Sequence, residues 1–126
     1  MLREDESPPL LGTIAVTLSL LTAYREGVAS VKLLAAGGYD SYHHHRYDPD
    51  YFGYMVFPKF GFDAPLSNKE RRNPSLKGCK SVQDVMDRDP ELWEEVGYQR
   101  FMKFDLCPNS QSWNRLLMYL RRKGFN

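Results

Sequence analysis

The sequence predicts a mainly α-helical chain without an independent compact globule. It reads as one N-terminal transmembrane helix, a long aromatic-rich extended segment and short amphipathic C-terminal helices. Three observations carry this reading. Leu10 to Tyr24 contains no charge, residues 39–74 are dense in Tyr, Phe, Pro and Gly without a sustained period, and the last third repeats apolar residues at helical spacing behind recognisable caps.

Residues 1–9 form an acidic arm, with Glu4, Asp5 and Glu6 against a single Arg3. An organellar presequence is rich in arginine and poor in acids, so a cleavable leader is read as absent or already removed. Ser7 can cap a helix and Pro8 suits a first turn, where no backbone donor is needed. The hydrophobic helix is expected over residues 10–36, as a single-pass span with a charged extension, ended by Gly37 and Gly38. A bilayer core is about 30 Å thick. The uncharged stretch alone supplies ~25 Å and the whole stretch ~40 Å. Tyr24 and Arg25 suit the interface. Gly12, Ala15 and Ser19 form a strip of small residues on which another helix can pack closely. Arg3 precedes the span while Arg25, Lys32 and Arg46 follow it, which places the C-terminal part on the matrix or cytoplasmic side. The competing reading of the same run is a helix buried in a protein core.

Residues 39–80 read as an extended docking segment, with one short strand from Tyr51 to Phe57. A stretch of that length without regular structure is usually functional or draped over something else. Tyr42, Tyr47, Tyr51, Phe52, Tyr54, Phe57, Phe60 and Phe62 are expected as anchors in partner pockets, together with Trp93 and Trp113, because aromatic rings dominate interface energetics. Residues 81–126 form a short helical region. Ser81 and Asp84 match a capping box. Asp89 and Pro90 open a second helix, expected to run to about Phe104. Asn109 or Ser110 opens a third, with Trp113, Leu116, Leu117 and Leu120 as its apolar stripe and Gly124 as its stop.

Composition narrows the function. Seventeen basic and sixteen acidic residues leave a formal charge of +1, so no global field draws the chain to nucleic acid. No glycine-rich phosphate loop and no nucleophile-elbow motif occurs. His43, His44 and His45 with nearby Asp40, Asp48 and Asp50 could hold a transition metal, but in an extended chain only His43 and His45 share a side. Polar contact with neighbouring subunits or headgroups is the plainer reading of the triplet, and Asp48-Pro49-Asp50 reads as a turn. Lys69, Arg71, Arg72 and Lys77 form a basic patch, read as solvated surface. Cys79 and Cys107 read as free thiols, with one disulfide as the alternative. No catalytic residue and no cofactor is expected.

One apolar segment near the N-terminus, an extended tyrosine- and proline-rich stretch and short amphipathic helices together resemble the supernumerary subunits of mitochondrial respiratory-chain complexes. Tyr51-Phe52-Gly53-Tyr54-Met55 resembles a stretch in a small accessory-subunit family of the complex I membrane arm. The chain has one hydrophobic segment where that family has two. The resemblance implies a non-catalytic role, bracing or assembling complex I or another inner-membrane complex such as ATP synthase. It also implies a mitochondrial inner-membrane location, with the other subunits and membrane lipid as partners. Two rival readings stand beside it: a soluble interaction protein or ribosome-associated subunit whose first helix is buried by Trp93 and Trp113, and an enzyme or metal-binding protein using the triplet His43, His44 and His45.

Overall fold

A computed structural model describes residues 10–40, 45–46 and 53–125. Its first helix, α1 (Leu10–Arg25), ends eleven residues short of the expected stop. Gly27 is the reason. With φ at 83°, it takes the left-handed conformation that closes a helix, and Val28 N–H reaches back to the Ala23 carbonyl at 3.0 Å. Sixteen residues make a helix of ~24 Å, shorter than a bilayer core of about 30 Å. Among the described residues no helix is long and apolar enough to cross a membrane, so the transmembrane reading is overturned. The matrix-side orientation of the C-terminal part rested on that crossing and loses its basis with it.

The charged extension of the expected helix is instead strand β1 (Ser30–Asp40). It pairs antiparallel with β3 (Tyr98–Asp105), from Ser30 opposite Asp105 to Ala35 opposite Arg100. Gly37, at φ 105°, sits in the irregularity where the register shifts between Ala35 and Gly38. A two-residue strand β2 (His45–Arg46) flanks β1, giving the sheet order β2-β1-β3. Leu33, Leu34, Ala35 and Ala36 are good helix formers, yet pairing with β3 decides their state, since tertiary context overrides propensity. Tyr98–Asp105, expected to continue a helix, alternates instead: Met102 and Phe104 are buried while Phe101, Lys103 and Asp105 are exposed.

From Gly53 onward the expected docking segment is folded into the chain's own core. Gly53–Lys59 forms helix α2, where a strand was expected, and it buries Tyr54, Met55 and Pro58 against β1 and β3. Gly61 follows at φ 109°, and a Cβ there would lie 2.3 Å from the Ser112 carbonyl, so only glycine lets this loop pass the backbone at Ser112. Beyond it come α3 (Asn68–Arg71) and a single 3-10 turn, Pro74–Leu76. Helix α4 (Val82–Arg88) opens on the capping box of Ser81 and Asp84. Helix α5 (Pro90–Val96) opens on the Asp89 cap. Helix α6 (Gln111–Arg122) opens on Ser110 and is followed by Gly124 at φ 94°. The local chemistry of those three starts was legible, because a cap is a contact within a few residues.

One core unites these pieces, contrary to the expectation of no compact globule. Trp93, Tyr54, Phe60, Phe62, Phe104 and Leu116 are all buried to within about 1% of full burial. Ring contacts run from Phe57 to Phe62 (5.4 Å), to Phe104 (5.4 Å), to Trp113 (5.0 Å) and on to Tyr24 of α1 (5.8 Å), each edge to face. Such geometry places the positive edge of one ring on the negative face of the next.

Candidate interaction surface

Helix α1 carries no charged residue before Arg25, so it is uncharged around its whole circumference. One side, Thr13, Val16, Leu20 and Ala23, turns toward the core, with Thr13 and Leu20 almost fully buried. The opposite side is open. Leu11 is 78% exposed and Leu18 57%, with Ile14 and Leu21 near 40%. Positions 11, 14, 18 and 21 recur at alternating steps of three and four. That is the spacing of knobs in a two-helix seam. A surface helix ordinarily turns charged residues to water, whereas this one has none there and only half of its circumference covered by the described chain.

The small-residue strip expected here is placed on and beside that open side: Ala15 and Ser19 are exposed and Gly12 is half-buried. The aromatic anchors are placed differently. Tyr54, Phe60, Phe62 and Trp93 are fully buried in the chain's own interior, and Phe57 and Trp113 are half-buried there. Tyr54, Phe60, Phe62 and Trp93 keep no open face for a partner pocket. Tyr42, Tyr47, Tyr51 and Phe52 lie outside the described residues, as does His43, and His45 is described only as backbone paired with Asp40. Gly53, Tyr54 and Met55, the described part of the accessory-subunit resemblance, serve packing. A Cβ on Gly53 would come within 2.9 Å of the Ala36 nitrogen, and Tyr54 donates its hydroxyl to the Glu94 carbonyl at 2.7 Å.

The charged groups inside the fold bind each other. Arg100 forks onto Glu70, with Nη1 donating to Oε1 at 2.9 Å and Nη2 to Oε2, while its guanidinium lies 5.0 Å from the Trp93 ring. Burial alone would raise the Glu70 pKa. The Arg100 hydrogen bonds and charge and the Ser67 N–H outweigh it and hold the carboxyl below the ordinary glutamate range. Asp63 is the opposite case. Burial pushes its carboxyl up, although the Gln83 and Ala64 N–H groups both donate to Oδ1. It tethers the start of α4 to the bridge it makes with Lys103, and that is a structural joint.

Cys79 is buried and Cys107 exposed, and both are free. A hydrogen bond to Asp105 and that carboxylate's charge push the Cys107 thiol up, away from the thiolate a nucleophile requires. Among the described residues no group of His, Cys, Asp and Glu is placed to hold a metal ion.

The surface that sequence reasoning missed is the solvent face of the β1–β3 pair. Lys32 stands opposite Lys103 and Leu34 opposite Phe101, all four exposed. The alternation of Met102 and Phe104 with Phe101 and Lys103 was the signal that could have revealed it. Comparison with protein-family models, curated proteins and solved structures finds no match to this chain.

Proposed function

We propose that this chain is a non-catalytic accessory subunit of a larger assembly, docked through the open side of α1 against an apolar helix of another subunit. The carrying observation is the exposed row Leu11, Ile14, Leu18 and Leu21, uncharged along its length and spaced to interlock with a helix. Fully burying one such side chain contributes roughly 1.5–3 kcal/mol, and about half of that is still available at each of these half-exposed positions. The footprint of one helix face is roughly 24 by 10 Å. A stable free-standing pair covers roughly 800 Å² per partner. A contact of this size therefore belongs to an assembly that holds the chain at several places, which favours a subunit over a simple homodimer. The respiratory-chain resemblance proposes the host, a mitochondrial inner-membrane complex with complex I first, where apolar helices are plentiful. The edge contact of Tyr24 on Trp113 favours a second reading, an interaction subunit of a non-membrane assembly whose first helix rests on its own core.

The test is native electrophoresis of gently solubilised membranes and of the soluble fraction from the native source, with mass spectrometry of the band containing this chain. The proposal expects a high-mass band with a fixed set of subunits, and expects Ile14→Gln with Leu18→Gln to release the chain while its circular dichroism is unchanged. Respiratory-chain subunits in the band identify the first host, ribosomal or other soluble subunits the second. A wild-type chain that migrates alone overturns the proposal.

A further inference from the structure

The outer face of the β1–β3 pair is a second and separate surface. Because side chains alternate along a strand, Lys32, Leu34, Phe101 and Lys103 all stand on the side away from Met102 and Phe104. Lys32 and Lys103 are direct cross-strand neighbours, an arrangement of like charges that weakens a sheet. Leu34 and Phe101 occupy the adjacent pair and are 48% and 61% exposed, a large apolar area for the solvent side of a two-strand ladder. The Lys32 ammonium lies 5.5 Å from the centre of the Phe101 ring. That cation–π contact keeps one charge over the apolar pair.

Asp105 is also on this face, its carboxyl held below the ordinary range by the Cys107 N–H at 3.0 Å and by the charge of Lys103, so the face carries two ammonium groups against one carboxylate. A carboxylate brought between the two ammonium groups would turn their repulsion into charge-assisted hydrogen bonds. An apolar side chain beside it would cover Leu34 and Phe101.

We propose that this face binds an acidic segment of a partner protein that carries apolar residues next to its carboxylates. Charge complementarity selects the acid, and the Leu34–Phe101 pair selects the apolar neighbour. A nucleic acid is the poorer occupant, since a chain whose formal charge is only +1 offers a continuous polyanion no extended basic track.

The test uses the full chain and fluorescence anisotropy with a labelled synthetic peptide of alternating Glu and Leu. A Lys–Leu peptide of equal length and a single-stranded oligonucleotide of equal charge are the comparators. The Glu–Leu peptide should bind, weaken as salt is raised to about 0.5 M, and lose about tenfold or more with Lys32→Glu and Lys103→Glu combined. Phe101→Ser should weaken it several-fold, with circular dichroism showing that each variant is folded. Leu18→Gln in α1 should leave the binding unchanged. No binding of the Glu–Leu peptide, equal binding by the charge-reversed variant, or preference for the oligonucleotide overturns the proposal. Loss of binding on Leu18→Gln alone also overturns it, because the probe would then sit on α1.

Discussion

Helix α1 meets α6 where Tyr24 sits edge-on to Trp113, and the two helices meet water in opposite ways. α6 turns Ser112, Leu116 and Tyr119 inward and presents Asn114, Arg121 and Arg122 outward, while Arg115 forks onto Asp87 at 2.8 and 2.9 Å. α1 turns Thr13 and Leu20 inward and presents leucines outward. The inner halves of the two helices are equivalent, and the difference lies wholly in the outer halves. α6 has a finished surface, whereas α1 has a surface suited to another protein. The contrast separates residues that make this fold from residues that serve a partner.

The largest effects should come from the inner halves. Leu116→Ala and Leu20→Ala each remove a side chain that is 2% exposed or less, and each should lower the unfolding free energy by about 2–4 kcal/mol in denaturant titrations. The comparison depends on the second number. If Leu20→Ala cost less than about 0.5 kcal/mol, in the range of an ordinary surface change, α1 would not be packed on the core and its two sides would be equivalent.

A smaller effect belongs to the finished region alone. The Arg100 fork ties α3 to β3 through Glu70, and both side chains are about 85% buried. Because the folded pKa of Glu70 lies below its ordinary value of 4.5, its contribution is present above pH 4.5 and is lost as pH falls through the lowered folded value. Glu70→Gln should therefore cost about 1–3 kcal/mol at pH 7 and progressively less below pH 4.5, which pH-dependent unfolding curves of the two proteins would show. The association of α1 should be indifferent to this change.

What could be read from the sequence follows the range of the forces involved. The starts of α4, α5 and α6 were legible, because Ser81 with Asp84, Asp89 with Pro90, and Ser110 each act within three residues. The stop of α1 was misplaced because Gly27 was passed over in favour of the more conspicuous Gly37-Gly38 pair, which serves a strand irregularity instead. Strands β1 and β3 were lost because their partner lies about 70 residues away, and Leu-Leu-Ala-Ala contains nothing local that declares a strand. The α6 stripe was right for Trp113, Leu116 and Leu120, which pack on the core, and wrong for Leu117. Leu116 is buried, but Tyr119 takes the inward place expected of Leu117, which is 48% exposed. Tyr54, Phe60, Phe62 and Trp93, expected as anchors, lie in the chain's own core for a related reason: abundance of Tyr, Phe and Trp marks burial, and sequence does not say whether the covering surface is the chain's own. The open side of α1 was legible as uncharged surface, though as a membrane span and not as a seam.

The smallest effects on stability are the most discriminating for function. Leu18 on α1 and Leu117 on α6 are comparably exposed leucines, at 57% and 48%, and neither fills the core. Changing either to Gln should alter the unfolding free energy by no more than about 0.5 kcal/mol. Their consequences for association should nonetheless diverge. Leu117 has Asn114 and Arg121, both exposed, one turn to either side, so charged and amide groups interrupt its row and only Met118 beside it is a comparably exposed apolar residue. Leu18 has Leu11, Ile14 and Leu21 along the same row, so it is the centre of a continuous apolar stripe. Leu18→Gln should shift the chain from the high-mass band toward the free form while Leu117→Gln leaves the distribution unchanged. Equal behaviour of the two variants would mean that spacing along α1 carries no more information than exposure, and the distinction between the two outer faces would have no functional content.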